Sequence, residues 1–173
     1  MEFHVGLLLR EATGARRAER IIDRCATDDG RSVDVQGDVG LLRTDAGILA
    51  TAGLRTSVDG ACSRCLAPAH MAVRLEIEEE YHPTVDIATG VPLPPRDDPT
   101  PFLIDVHHIL DLSEAVRQQL ILAEPMQLLC RPDCAGLCAA CGEDRNRGRC
   151  QCPPAETDGR WAALRELAEK SRG

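Results

Sequence analysis

Aromatic residues are nearly missing from this chain of 173 residues. Phe3, Tyr81, Phe102 and Trp161 are all of them. Single-stranded RNA readers stack bases on aromatic platforms, so that mode of recognition is poorly supplied. Lysine is rarer still, with Lys170 the sole example, and a GC-rich genome accounts for the arginine bias. The net charge of −8 argues against attachment to nucleic acid by bulk electrostatics, because phosphate affinity comes largely from cation contacts. An acidic surface instead suits a basic protein partner. No stretch approaches the roughly 20 apolar residues of a membrane span. The first ten residues lack a basic leader and a small-residue cleavage site, so no secretory signal is expected. Gly-x-Ser-x-Gly, the P-loop, the dinucleotide fingerprint and His-Glu-x-x-His are all missing, which removes the commonest catalytic signatures.

Cysteine, by contrast, is abundant and clustered. Six of the nine cysteines lie between Cys130 and Cys152. Cys138-Ala-Ala-Cys141-Gly142 has the form of a zinc knuckle. Two thiolates three positions apart reach one ion, and the glycine supplies the left-handed backbone that tightens the turn. Cys150 and Cys152 follow and complete four sulfur ligands. Zinc suits four thiolates, being soft enough for sulfur and free of other geometric demands. A disulfide framework requires an oxidising compartment, and nothing in the sequence indicates one. A redox pair at Cys138 and Cys141 lacks the usual strand-to-helix setting, and four thiolates alone do not exclude an iron–sulfur cluster.

An upstream pair, Cys62-Ser-Arg-Cys65-Leu66, is weak by itself. If Cys138, Cys141, Cys150 and Cys152 close one site, Cys130 and Cys134 lack two partners, and Cys62 and Cys65 supply two. A second shell drawn from across the chain would leave only Cys25 free. The alternatives are that Cys62 and Cys65 merely pack in a strand, that the ligand sets are shuffled, or that His70 takes part. The expectation is therefore one zinc, with a second depending on this pairing.

The 43% apolar content supports one core and a small appendage. Phe3 to Leu9 has the apolar content of a strand, and Glu11 to Arg24 reads as partly helical. From Ser32 to Glu80 the text is strand-like: Val33, Val35 and Val39 alternate, Asp45-Ala-Gly47 makes a turn, and Met71, Val73, Leu75 and Ile77 alternate with polar neighbours. Residues 83–101 hold six of the eleven prolines and read as a long surface loop. Phe102 to Ile104 reads as a short strand, and His107-His108 as a strand-to-helix loop. A helix is expected from about Leu112 to Ala123, with Leu112, Ala115, Val116, Leu120 and Ala123 as its apolar stripe. Asp111 or Ser113 would cap it, and Glu114 is placed for a capping box. A last helix, Arg160 to Lys170, carries Trp161, Leu164, Leu167 and Ala168 on one face, with Asp158 as cap and Glu166–Lys170 as an exposed pair.

The fold class that follows is α+β: an antiparallel, sheet-rich domain over residues 1–128 with a few helices, a zinc-ribbon-like cysteine module over 129–154, and a C-terminal helix over 155–173. Three motifs together, Cys62-Ser-Arg-Cys65-Leu66, the helix beginning Asp111-Leu-Ser-Glu and ending Glu124-Pro125, and Cys134-Ala-Gly-Leu-Cys138-Ala-Ala-Cys141-Gly142, resemble the bacterial YceD family. Asp158-Gly-Arg-Trp161 adds to that resemblance. The family is also called the large ribosomal RNA subunit accumulation protein family. The resemblance implies a cytoplasmic, non-catalytic factor for large-subunit ribosomal RNA accumulation or ribosome assembly. Its partner would be a large-subunit precursor, a basic ribosomal protein or ribosomal RNA, with neither membrane nor small-molecule substrate. Zinc is a reading of the residues and not of the resemblance. The competing class is a metal- or thiol-dependent enzyme, for which a coordination position left open would be the mark.

Overall fold

The structure is a computed structural model that describes residues 1–27, 30–94, 102–148, 150–153, 159–161 and 164. The chain divides into two compact units: Met1–Asp59 with His70–Met126, and Gly60–Ala69 with Gln127–Gly173.

The first unit is built on a sheet whose strands are β1 (Glu2–His4), β2 (Arg16–Ala26), β3 (Ser32–Arg43), β4 (Ile48–Ala61), β5 (Pro68–Pro83), β6 (Phe102–Ile104) and β7 (Ile109–Asp111). Their order across the sheet is β1-β7-β6-β5-β4-β3-β2. β2, β3 and β4 form an antiparallel meander, whereas β5 and β6 run parallel, so the sheet is mixed. The ends of β4 and β5 that flank Cys62 and Cys65 belong to the second unit.

Alternation places the core. Val35, Val39 and Leu41 of β3, Ile48, Ala50, Ala52 and Leu54 of β4, and Leu75, Ile77 and Tyr81 of β5 all turn inward. The alternate residues Gln36, Asp38, Gly53, Arg55, Arg74 and Glu76 are exposed on the other face. Helix α1 (Gly6–Arg10) and helix α2 (Ser113–Ala123) add Leu8, Leu9, Ala115, Val116 and Leu120 to the core. Each large aliphatic side chain buried this way contributes roughly 1.5–3 kcal/mol. Tyr81 stacks at a tilt on Phe102 with ring centroids 5.1 Å apart. Its hydroxyl donates to the Asp111 carbonyl at 3.2 Å, tying β5 to β7. Cys25 is a core thiol of this unit, 3% exposed, with its S–H directed at backbone carbonyls.

Several local expectations are corrected. Residues 16–24 are strand, not helix. Arg, Ala, Glu and Ile have respectable helix propensity, but an unbroken ladder from Arg16↔Leu42 to Ala26↔Ser32 outweighs it. The run from Phe3 to Leu9 is not one strand. Phe3 pairs with Leu110, then the chain turns helical so that Val5, Leu8 and Leu9 are buried at helical spacing while Leu7 is exposed. Alternation would have buried Leu7 with Leu9. His107 and His108 lie in the turn between β6 and β7, with His108 at φ 61°, and not before a helix.

Of the stripe expected on α2, Leu112, Ala115, Val116 and Leu120 are buried, and Ala123 packs half-buried against them. Asp111 Oδ1 accepts from the Ser113 N–H at 2.9 Å. Glu114 does not complete a capping box, because its oxygens accept from Arg117 and Gln118 one turn on. Residues 84–93 are not an open loop. The Asp86 side chain accepts from the N–H groups of Ala88 and Thr89, and Val85 bridges to Pro92. Prolines 95, 99 and 101 lie outside the described residues. So do Asp158, Glu166, Leu167, Ala168 and Lys170; Gly159–Trp161 form one short 3-10 turn. Among the described residues no helix is long and apolar enough to cross a membrane.

Candidate metal centres

Both centres lie within the second unit. Strand β4 ends at Ala61, and the next residues wrap into a knuckle. The Leu66 N–H donates to the Cys62 carbonyl at 2.9 Å, which brings Cys62 and Cys65 onto one side of the turn. Leu66 has a left-handed φ of 61°. A second short turn, in which the Cys134 N–H donates to the Arg131 carbonyl, presents Cys130 and Cys134. The Ser63 N–H donates to the Leu128 carbonyl at 2.8 Å and joins the two segments. All four sulfurs lie within 4.8 Å of one another. Cys62 and Cys134 are 3.8 Å apart, and Cys65 and Cys130 3.6 Å.

The other group repeats the knuckle. The Gly142 N–H donates to the Cys138 carbonyl at 2.8 Å, and Gly142 has φ 74°. Leu137 and Asp144 bridge across this turn. A 3-10 turn, Arg145–Arg147, then carries the chain round to Cys150 and Cys152. The sulfurs of Cys138, Cys141, Cys150 and Cys152 also lie within 4.8 Å of one another, with Cys141 and Cys150 3.7 Å apart.

Leucine at a left-handed position costs roughly 1–2 kcal/mol, where glycine costs nothing steric. Leu66 is 66% exposed, so its side chain gives little burial in return. Leu66→Gly is therefore expected to stabilise the first knuckle by about 0.5–1 kcal/mol after the greater backbone entropy of glycine is subtracted. Denaturant unfolding followed on the second unit checks this. A clear loss of stability would show that Leu66 packs where it stands.

Two residues that spacing could not flag hold the arrangement. The Asn146 side chain accepts from Arg131 and from the Ala135 N–H, and donates to Cys134 Sγ at 3.4 Å and to Asp144. An asparagine inside the second loop thus supports a sulfur of the first group. Arg64, inside the first knuckle, donates to the Cys134 carbonyl at 2.9 Å, and its own carbonyl accepts from the Leu137 N–H. Gly136 makes that approach feasible, since a Cβ there would meet the Arg64 carbonyl at 3.2 Å. The one weak signal for Asn146 was its position between two cysteine pairs.

Backbone N–H groups at both knuckles favour thiolate. The N–H groups of Cys130 and Cys65 lower Cys62 to about 6. Those of Cys141 and Ala140 lower Cys138 to about 6. Elsewhere crowding dominates. Burial and the neighbouring sulfurs push Cys130 up to about 12, and the sulfurs of Cys141, Cys150 and Cys138 push Cys152 up to about 12. Four sulfurs so close cannot all ionise without a cation among them.

The distances fit one ion per group. A tetrahedral ion with metal–sulfur bonds of about 2.3 Å sets its sulfurs about 3.8 Å apart. Three pairs, Cys62–Cys134, Cys65–Cys130 and Cys141–Cys150, at 3.6–3.8 Å match that edge, and the other pairs in each group lie within 4.8 Å. They are far from the roughly 2.05 Å of a disulfide, and all nine cysteines are free. Each group offers four sulfurs that could hold one metal ion. His70 is in neither group; its Nδ1 lies 2.6 Å from Asp59 Oδ1 in the first unit.

Residues 50–168 match the family described as large ribosomal RNA subunit accumulation protein YceD. The chain belongs to that family. YceD proteins are not known as an enzyme family. Curated relatives include uncharacterized proteins of Mycobacterium bovis and of two Mycobacterium tuberculosis strains, each 29% identical over 152 residues. The alignments cover 84% of this chain and 67% of each relative. No solved structure matches. Both four-cysteine groups of this YceD protein fall inside the matched residues.

Proposed function

We propose that the protein is a non-catalytic, cytoplasmic factor that supports accumulation of large-subunit ribosomal RNA, with zinc in both four-cysteine groups. The observation that carries the non-catalytic reading is the gathering of four sulfurs within 4.8 Å in each group, enough to fill a tetrahedral shell. A catalytic zinc keeps one position for water or substrate, which four cysteine ligands on one ion would not leave. Zinc is favoured over a multi-iron cluster because the sulfurs are spaced for a single ion. Residues 129–154 then form a structural metal module, joined by the knuckle at Cys62 and Cys65. The acidic balance of the chain favours a basic ribosomal protein or an assembling large-subunit particle as partner.

Affinity capture from lysate, with and without ribonuclease, tests the proposal. Large-subunit proteins or precursor RNA should be enriched. A protein partner should survive ribonuclease and weaken with salt; an RNA partner should be lost. Cells depleted of the protein should accumulate less large-subunit RNA. Unchanged ribosome profiles on depletion would remove the assembly role.

A further inference from the structure

The two groups meet water very differently. In the first, Cys62, Cys65 and Cys134 are 0%, 7% and 2% exposed, and only Cys130 reaches the surface. The Cys134 sulfur is further screened by the Asn146 amide. In the second, none of the four is buried: Cys138 and Cys150 are half-buried, Cys141 and Cys152 exposed. A cleft of about 360 Å³ opens beside Cys138, Cys150 and Cys152, with Arg145 on its wall. Cys141 does not line this cleft and is itself exposed, so a small polar oxidant can approach the group from the cleft and at Cys141.

We propose that the second group is a thiol-oxidation site at which hydrogen peroxide converts Cys141 and Cys150 into a disulfide with loss of the bound zinc, while the first group stays reduced. This rests on the reading that both groups hold zinc. Cys141 is the exposed attacking sulfur, and Cys150, 3.7 Å away, is its resolving partner. The Cys141 thiolate attacks one peroxide oxygen; the O–O bond breaks and hydroxide leaves, giving a sulfenic acid. The Cys150 thiolate attacks that sulfur; the S–O bond breaks, a second hydroxide leaves and the S–S bond forms. Two thiolates are oxidised by two electrons, one peroxide is reduced, and two solvent protons convert the hydroxides to water. The shell is left with two sulfurs, too few to retain zinc. A dithiol reductant reverses the step by exchange. In the first group Cys130 is the one exposed residue, and Cys65, whose sulfur lies 3.6 Å from its own, is buried.

The test treats the full zinc-loaded chain with graded hydrogen peroxide. It reads released zinc with a chromogenic chelator and maps disulfides by differential alkylation and mass spectrometry. Release of one of two zinc equivalents, a Cys141–Cys150 disulfide, and recovery with a dithiol and added zinc are expected. Cys141→His keeps a zinc ligand but removes the attacking sulfur, and should retain both equivalents at the same dose. Simultaneous release of both ions, retention of both until irreversible oxidation, or a first disulfide at Cys65–Cys130 would overturn the proposal. Zinc content measured before oxidation separates the two ideas. Protein that never holds zinc defeats the proposed cofactor, and its disulfide map still reports whether Cys141 and Cys150 oxidise first.

Discussion

Replacing Cys62 by serine is expected to remove one zinc equivalent and to abolish amide protection over residues 60–69 and 127–135, the segments that carry the first group. The reason is the small apolar content of the second unit. Among its described residues, the buried apolar side chains other than cysteine are Ala69 and Leu128. Burial of one leucine contributes roughly 1.5–3 kcal/mol. Ordering each backbone residue costs about 1–2 kcal/mol. A segment of this length cannot fold on that balance, whereas a structural zinc site supplies roughly 10–16 kcal/mol. Elemental analysis and hydrogen exchange read the outcome. Protection along β3, β4 and β5 should persist in the first unit, where Val35, Leu41, Ile48, Leu54 and Leu75 form a core without metal. Full protection of residues 127–135 in the variant would show that sulfur ligation is not what orders them.

Gly37→Ala is expected to destabilise the first unit by roughly 3 kcal/mol or more. A Cβ at this position would lie 2.1 Å from the Gly53 carbonyl oxygen and 2.9 Å from the Leu54 Cα. Both are backbone atoms of the paired strand, so relief requires opening the β3–β4 ladder. Gly53 provides the control from the same ladder. A Cβ there meets only the Glu76 carboxylate, at 3.6 Å. Gly53→Ala should be neutral or stabilising by about 0.5–1 kcal/mol, through reduced backbone entropy in the unfolded chain. Urea unfolding midpoints of the two variants decide the matter, and equal shifts would refute the steric account.

The legible parts of the fold were those governed by short-range pattern. Val33 to Val39 and Val73 to Ile77 alternate because one sheet face is buried, and they are strands. The α2 stripe was readable for the same kind of reason, at helical spacing. Residues 16–24 were not. Their composition is compatible with helix, and their strand state comes from pairing with residues 34–42. Leu7, Leu8 and Leu9 form an uninterrupted apolar run that carries no period, so only the surrounding core decides which of them is buried.

The candidate centres divide along the same line. Cysteines three apart followed by a left-handed residue define a knuckle locally, and this chain shows both knuckles as such turns, at Cys62–Leu66 and Cys138–Gly142. Sequence alone determined the knuckle at Cys138–Gly142, the strand alternation and the family resemblance, because each rests on neighbours within a few residues. The pair at Cys62 and Cys65 was weak by itself because a leucine, not a glycine, takes its left-handed position. Only the tertiary structure decided which sulfurs meet. Cys62 reaches Cys134 across 72 positions and Cys65 reaches Cys130 across 65. Closing loops of that length depends on the sheet that carries β4 and β5 to their ends, and on Arg64, Gly136 and Asn146, whose contacts no spacing rule specifies. Burial of the first group and exposure of the second are likewise properties of packing, since the two knuckles are alike in local backbone and differ in what surrounds them.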